Sequence, residues 1–412
     1  MATGNIQPDA RKSQYSGDLE RIYRINGYGD YKSQGYQMLY GLNYNTLGIQ
    51  LPTATDQVGL TFFTRPDLNF HTENITQDRC LSVMNNNQDL TYSRAIRALL
   101  DPWGSDNNGY RSRLCNPKQA FITPFTNLVT SVSGHMDPQV QTYGSKEGIM
   151  GEAWGMIDGI YEHHGPWQMT VTMHNIEGGL PLFLHDMWLR YAVGVYHGKL
   201  FPYPWNNMMS RIDYVTRPYR FILDPGRQYV KYWACAGVAF PTAVPWGGVF
   251  DFDSNDNFQR SLEKVSVNYQ CFGVYYNDPI ILKEFNQTVA KFNPDMKIAN
   301  ADKLATEEIR LKSSNYYRVP INQRELFNGF CYPLVHPFTQ ELCWFVSKED
   351  HARCVNGIAT APNGFDMVGN FTGAPETAES FQQSYFSGAS EIDTFSANTI
   401  NMAVRAGQTN RG

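Results

Sequence analysis

Five of the nine histidines fall in one short stretch, at His163, His164, His174, His185 and His197, with Glu162, Glu177 and Asp186 close by. These are the residue types that bind zinc or move protons near neutral pH. Their spacing does not serve that chemistry. A helical zinc site needs two histidines four residues apart, in a His-Glu-x-x-His frame, so that both rings leave one face. No pair here has that separation. His185 falls beside an apolar helical stripe and His174 on the polar side of an alternating segment, so both read as structural. Residues 194–199 (GVYHGK) resemble a phosphate loop, but one residue is missing between the glycines. Leu200 also stands where Ser or Thr should hold magnesium, and the motif sits at a helix end, whereas the loop needs a helix start. No Gly-x-Ser-x-Gly elbow and no dinucleotide fingerprint occurs. Asp251 and Asp253 read as turn residues. The seven cysteines, at 80, 115, 235, 271, 331, 343 and 354, include no Cys-x-x-Cys pair and are odd in number, which reads as free, mostly buried thiols. The expectation is a protein with no catalytic residues, no metal and no cofactor.

The histidine-rich stretch lies inside the most strongly patterned part of the chain, Trp167 to Tyr276. Trp167, Met169, Val171 and Met173 alternate with Gln168, Thr170, Thr172 and His174, a period of two that gives a strand one apolar and one polar face. Gly178 and Gly179 break the chain. Leu184, Trp188, Tyr191, Ala192 and Val195 then share one helical face, with Gly198 as the C-terminal stop. An apolar run at 219–223, a turn at Asp224-Pro225-Gly226-Arg227 and a return strand at 228–235 read as a hairpin. After Phe240 and Pro241, residues 265–271 (VSVNYQC) alternate again. Met169, Val171, Leu184, Trp188, Tyr191, Val265 and Val267 are the expected contacts between helix and sheet. Gln168, Thr170, Thr172, Ser266, Asn268 and Gln270 form the opposite, polar face.

Around this module, at 161–277, the sequence divides into four further regions. Residues 1–58, rich in Gly, Tyr, Asn and Gln, read as an extended arm. Residues 59–160 read as a mixed α/β region or insertion. It holds a strand from Leu60 ended by Pro66, a helix at 92–100 with Arg94 and Arg97 on a different side from Ile96 and Leu99, and one or two strands within 120–133, where Phe121, Thr123, Phe125, Val129 and Val132 are β-formers. Residues 278–355 open with Asp278 as N-cap and Pro279 in the first helical turn, ahead of Ile281, Phe285, Val289 and Phe292. A loop or short helix is expected around 306–311, and apolar residues return at 326–346. Residues 356–412 are polar and dotted with single aromatics, among them Phe365, Phe371 and Tyr385, and read as a second arm. The triplet Thr-Arg-Pro ends a β pattern twice, at 64–66 and at 216–218.

Bulk composition agrees with a structural role. The 412 residues include 14% aromatics, 34 Gly and 22 Pro, which favours a β-rich, loop-rich protein over a helical bundle. Only 18% are charged, with a net charge of −5, so much aromatic and amide surface must find partners, and a dedicated nucleic-acid binder is not indicated. The N-terminus has no basic region followed by an apolar run, and no apolar segment approaches the ~18 residues that span a bilayer, so synthesis in a cytoplasm and no membrane insertion are expected.

The order of these elements, with residues 169–175 (MTVTMHN), 184–191 (LHDMWLRY), 219–227 (YRFILDPGR), 239–241 (AFP) and 264–269 (KVSVNY), resembles the tail-tube fold of contractile-tailed bacteriophages and related injection machines. Residues 62–69 (FFTRPDLN) are similar to a segment of large-phage virion structural proteins. The resemblance covers about residues 60–285. It implies an α+β, β-rich fold, a twisted sheet or split barrel with one flanking helix, to which the N- and C-terminal arms are added. It also implies a ring of six copies, stacked into a tube. Gln168, Thr170, Thr172, Ser266, Asn268 and Gln270 would then face the lumen, a neutral wall that does not grip DNA phosphates. The implied role is a virion tail component, a tube initiator or baseplate protein touching copies of itself and neighbouring tail proteins, with DNA only in passage. Two other roles fit the sequence, a neck or head–tail connector and a tail-associated cell-wall hydrolase. The chain is longer than a simple tube subunit.

Overall fold

The computed structural model describes residues 58–85, 91–107, 112, 114–158, 165–176, 178–224, 226–250, 263–298, 315–319, 331–336 and 340–355. The C-terminal arm, the N-terminal arm apart from Val58 and the segment at 306–311 lie outside them. The chain forms two compact units, one of residues 1–314 with 332–343 and the other of residues 315–331 with 344–412.

The first unit is built on six antiparallel strands. They are β1 (Val58–Phe63), β2 (Val129–Ser133), β5 (Pro166–His174), β6 (Pro218–Leu223), β7 (Val230–Pro241) and β8 (Lys264–Tyr276), in the order β1-β6-β7-β8-β5-β2. A separate hairpin pairs β3 (Thr142–Gly144) with β4 (Gly155–Ile157). The longest helices are α1 (Tyr92–Leu100), α3 (Leu180–Tyr196) and α4 (Pro279–Phe292), with the short α2 (Thr123–Leu128) leading straight into β2. The expected β6–β7 hairpin forms, and Asp224 shapes its turn. Its Oδ1 accepts from the backbone N–H groups of Gln228 at 2.8 Å and Tyr229 at 2.7 Å, and Arg227 takes the left-handed conformation with φ 53°.

The expected alternation is present across β5 and β8. Trp167, Met169, Val171 and Met173 lie directly opposite Cys271, Tyr269, Val267 and Val265, and all eight are buried. Helix α3 covers this face with Leu184, Trp188 and Tyr191, which share one core with the strand residues. Trp188 donates its indole N–H to Tyr214 O at 2.9 Å, so the largest side chain in the core keeps its polar atom satisfied. Gly198, with φ 69°, ends α3 as expected. The N–H groups of Lys199 and Leu200 both bond Gly194 O. The GVYHGK motif is therefore a helix C-terminus.

The β1–β6 end of the sheet has a second core. Phe285 of α4 sits among Phe121, Phe221, Phe62 and Tyr219, with ring centroids between 4.9 and 5.3 Å away. Asp278 caps α4 as expected, accepting from Ile280 N at 2.9 Å. Asn286 clamps α4 to Val335, donating to its carbonyl at 2.6 Å and accepting from its N–H at 2.8 Å.

The expectation of one or two strands within 120–133 is met by β2 alone, since residues 123–128 are helical. Pro124 occupies the first turn, where its missing N–H does no harm, and Phe125 turns inward to stack on His185. Helix α1 is buried all round from Arg94 to Leu100, and Arg97 is only 2% exposed. It donates to Phe70 O and Thr72 Oγ1, both at 2.9 Å, so its guanidinium finds acceptors in the segment that follows β1.

The two Thr-Arg-Pro triplets meet. Thr216 Oγ1 donates to Thr64 O at 2.6 Å and Arg217 N donates to Thr64 Oγ1 at 2.8 Å. Arg65 reaches away from this clasp to the end of α1, donating to Ala98 O, Leu99 O, Pro117 O and Gln119 O. Ala98 O and Leu99 O lie in the last turn of α1, where carbonyls lack intrahelical partners and a cation suits the negative end of the helix dipole. Beside the clasp, residues 120–122 extend the β1 edge. Arg65 N bonds Ala120 O, and Ile122 N bonds Phe63 O at 2.8 Å. The chain then runs through α2 into β2 at the opposite edge, so one segment ties both free edges and the sheet nearly closes into a barrel.

In the second unit, β9 (Tyr316–Val319) pairs antiparallel with residues 344–347, and Val319, Cys331 and Val346 form a small core.

Replacing Phe285 by Ala removes the ring that four aromatics surround and leaves a cavity. The expected loss is about 3–5 kcal/mol of stability, read from urea unfolding. Phe285→Leu is expected to lose clearly less, and an unchanged midpoint for Phe285→Ala would remove α4 from the core of this unit.

Candidate functional site

The polar face of β5 and β8 is the surface that the fold leaves open opposite its main core. The six polar residues expected there pair directly across the strands, Gln168 with Gln270, Thr170 with Asn268 and Thr172 with Ser266. Thr170 Oγ1 donates to Asn268 Oδ1 at 2.8 Å, the Thr172 and Ser266 hydroxyls are 3.0 Å apart, and Gln270 Nε2 donates to Trp167 O at 3.2 Å. All six groups are neutral, and five of them, all but Gln168, are fixed by a hydrogen bond to a neighbour.

A strand within 120–133 was expected, but not its place as the third strand of this face. β2 pairs with β5 so that Ser131 lies opposite Thr172 and Ser133 opposite Thr170, while Val132 faces Val171 on the core side. The pattern VTSVS does not alternate cleanly, because the register shifts between Val129 and Ser131. The signal was the pair of serines two residues apart.

The ends of the face differ from its middle. At one end His174 lies opposite Lys264, both exposed, so the neutral row closes on a basic position that an all-neutral reading leaves out. At the other end stands exposed Phe272, stacked on Phe240. Gly273, with φ 65°, shifts the alternation there, so that Val274 is buried and Tyr275 exposed.

The histidines do not converge. His174 is on the polar face and His197 is exposed at the end of α3, while His163 and His164 lie outside the described residues. Among the described residues no group of three or more His, Cys, Asp or Glu is placed to hold a metal ion. His185 is fully buried between Pro181 O and the Tyr269 hydroxyl, each 2.5 Å from a ring nitrogen, and it stacks on Phe125 at 4.4 Å. Burial pushes its pKa down to about 4, partly opposed by the bond to Pro181 O. It joins α3, α2 and β8. Burial likewise pushes the Cys271 thiol up to about 12, so it behaves as a small apolar residue. No described helix is long and apolar enough to cross a membrane.

Residues 3–360 match the model of a protein family described as "Putative phage tail tube protein". The chain belongs to this phage tail tube family. A tail tube protein is a structural component of the virion tail, and the β-rich sheet with α3 on its flank is the fold the sequence resemblance implied. No curated protein matches the sequence. Among solved structures, similarity is found to a chain of the sheath–tube complex of an extracellular contractile injection system, PVC, in the extended state, at 17% identity. That match covers 38% of this chain and 82% of that one, with a TM-score of 0.24. A second is to the anti-feeding prophage cap, described as the AFP tube terminating cap, at 16% identity over 36% of this chain and 79% of that one, with a TM-score of 0.23.

The buried His185 gives this tail tube protein a defined acid response. Its folded pKa of about 4 lies below the ordinary value of 6.5, so the unfolded chain takes up the proton first. Stability is present in full above about pH 6.5 and falls as the pH drops towards 4, by about 3 kcal/mol in total. Urea unfolding at a series of pH values is expected to show this slope, and His185→Gln is expected to flatten it.

Proposed function

We propose that this chain is a non-enzymatic ring subunit of the phage tail, with the β5–β8 polar face turned to the lumen through which DNA passes. The observation that carries the reading is the row of paired neutral side chains, Gln168, Thr170, Thr172, Ser266, Asn268 and Gln270, on a sheet whose other face is sealed by α3, in a chain of the tail tube family. Phosphates are gripped by Lys and Arg, whose binding releases counterions and is correspondingly hard to undo in low salt. A neutral wall lets DNA slide. Ser131 and Ser133 extend that wall, and Lys264 with His174 marks one rim of it.

In this reading six copies close the ring. The β2 edge, and the part of the β1 edge that residues 120–122 leave uncovered, are surfaces that another chain can pair with or cover. The regions at 1–58 and 356–412 act as arms that lock onto neighbouring copies and neighbouring tail or baseplate proteins, and the module at 161–277 is the ring-forming part. A position at the start of the tube or in the baseplate is favoured by the length of the chain, which exceeds that of a simple tube subunit. DNA is a passenger, no membrane is entered, and the protein is made in the host cytoplasm before joining the virion tail.

Negative-stain class averages of the purified full chain are expected to show sixfold rings with an open centre. A chain that stays monomeric at high concentration would count against the ring. Thr170→Lys with Asn268→Lys is expected to leave ring formation intact while making rings retain double-stranded DNA at low salt, as seen by co-sedimentation. Retention unchanged from the parent chain would remove β5 and β8 from the lumen. Clearing of peptidoglycan in a zymogram would overturn the non-enzymatic reading.

A further inference from the structure

The two edge strands of the six-stranded sheet, β1 and β2, face each other where the barrel nearly closes, and two basic side chains meet at that seam. Arg220 of β6 stands opposite Thr61 of β1 and Ala234 of β7. Ala236, two positions on from Ala234 and so on the same face, belongs to the main core, which puts Arg220 on the inner side of the sheet. Its side chain crosses β1 and lies against Gly59. A Cβ at that position would come within 2.0 Å of Nη2 and 2.5 Å of Cζ, so only glycine leaves the guanidinium its berth. From the other edge comes His135, two residues past the end of β2, with its ring centroid 5.3 Å from that of Trp167. Burial first, and the Arg220 charge second, hold the His135 pKa below its ordinary 6.5.

Arg220 differs from the other inward arginines in what it lacks. Arg65 and Arg97 each meet several acceptors, and Arg217 pairs with Glu284 at 2.8 Å and donates to Cys235 Sγ at 3.1 Å. Half-buried Arg220 donates from Nη1 to Thr61 Oγ1 at 2.7 Å, and among the described residues no carboxylate pairs with it. Burial lowers its pKa, and no carboxylate opposes that shift or the one at His135. A guanidinium carries its donors in a fixed fork, and one hydroxyl satisfies only part of it. A cation drawn out of water without a counter-charge, beside a second basic group, is costly to hold. An anion in the seam removes that cost.

We propose that the seam between β1 and β2 is a binding site for a small oxyanion, a phosphate or a carboxylate, held by the Arg220 fork and a ring N–H of His135. The free part of the fork takes two oxygens of such an anion side by side, while Thr61 keeps Nη1 in place. His135 donates from the opposite edge. The anion thereby ties a side chain lying over β1 to the residue just past β2, and joins two edges that no backbone ladder connects. Arg220 shares its face of the sheet with the core and not with the row from Gln168 to Gln270, so DNA in passage does not supply the anion. The site belongs to a single chain and does not depend on ring assembly.

The probe is inorganic phosphate, added to the full chain in exchange for chloride at constant ionic strength and pH. The thermal midpoint is expected to rise with phosphate in a saturable way. Hydrogen exchange in peptides covering 58–63 and 129–136 is expected to slow along the same curve. Acetate is run beside it; saturation by either anion supports the site, and the one that saturates at lower concentration tells a phosphate from a carboxylate ligand. Gly59→Ala is expected to weaken binding at least about tenfold, because the new methyl displaces the guanidinium and no backbone atom. His135→Phe keeps a ring against Trp167 but loses the N–H, and is expected to weaken binding at least about threefold. Arg220→Met is expected to abolish saturation while holding the midpoint in chloride near that of the parent chain, since it removes an unpaired cation. No saturable rise with either anion would overturn the proposal. So would a rise that survives Arg220→Met, or one that leaves exchange at both edges unchanged.

Discussion

The nine-residue register between β5 and β8 is the constraint on which the remainder depends. Side chains alternate strictly between the two faces, so a slip of one residue would send Met169, Val171 and Met173 to the wet face and Thr170 and Thr172 into the core. Burial of the apolar set under α3 fixes the register, and the same register then pairs the polar set with no further instruction. The lumen candidate is in this sense a by-product of the core. His185 strengthens the link, because its ring reaches from α3 to Tyr269 on β8 and to Phe125 on α2.

A sheet of six antiparallel strands has two edges, and the first unit handles them with one segment. Residues 120–133 begin against β1 and end as β2, so the unit is closed on its own chain as far as a single connection allows. Arg65 and Arg97 hold the loops around that connection. Each buries a guanidinium, Arg65 donating to backbone carbonyls and Arg97 to Phe70 O and the side chains of Thr72 and Asn85. Such an arginine tolerates burial because its fork meets several acceptors at once, which a lysine in the same place could not arrange.

The parts of this structure that the sequence made legible are those governed by local periodicity. Alternation at 167–174 and 265–271 placed both strands and both faces, and the glycine at 198 and the aspartate at 278 marked helix ends for reasons internal to a few residues. The helix at 123–128 was hidden by its β-forming side chains. Its conformation follows from Pro124 and from Phe125 seeking His185, which lies 60 positions along the numbering. The inward course of Arg97 and the meeting of the two Thr-Arg-Pro triplets are long-range facts that no window of sequence contains. Ser131 and Ser133 were obscured by a bulge, and the exposure of the 137–158 hairpin cannot be read from composition, since Trp154 and Met156 have the side chains of core residues.

The Thr64–Thr216 clasp bears on how the molecule comes into being. Its two halves are 152 positions apart, and β5 meets β8 across a gap of 90 to 106. Only β6 and β7 are neighbours joined by a tight turn. A chain emerging from the ribosome therefore holds β1, with its aromatic Phe62 and Phe63, for well over a hundred residues before its partner strand exists. Contacts of such wide separation close slowly, and a waiting strand of this kind is open to the wrong neighbour. The interval between the first strand and its mate is a period of exposure that the rate of synthesis, as much as the sequence, must keep short.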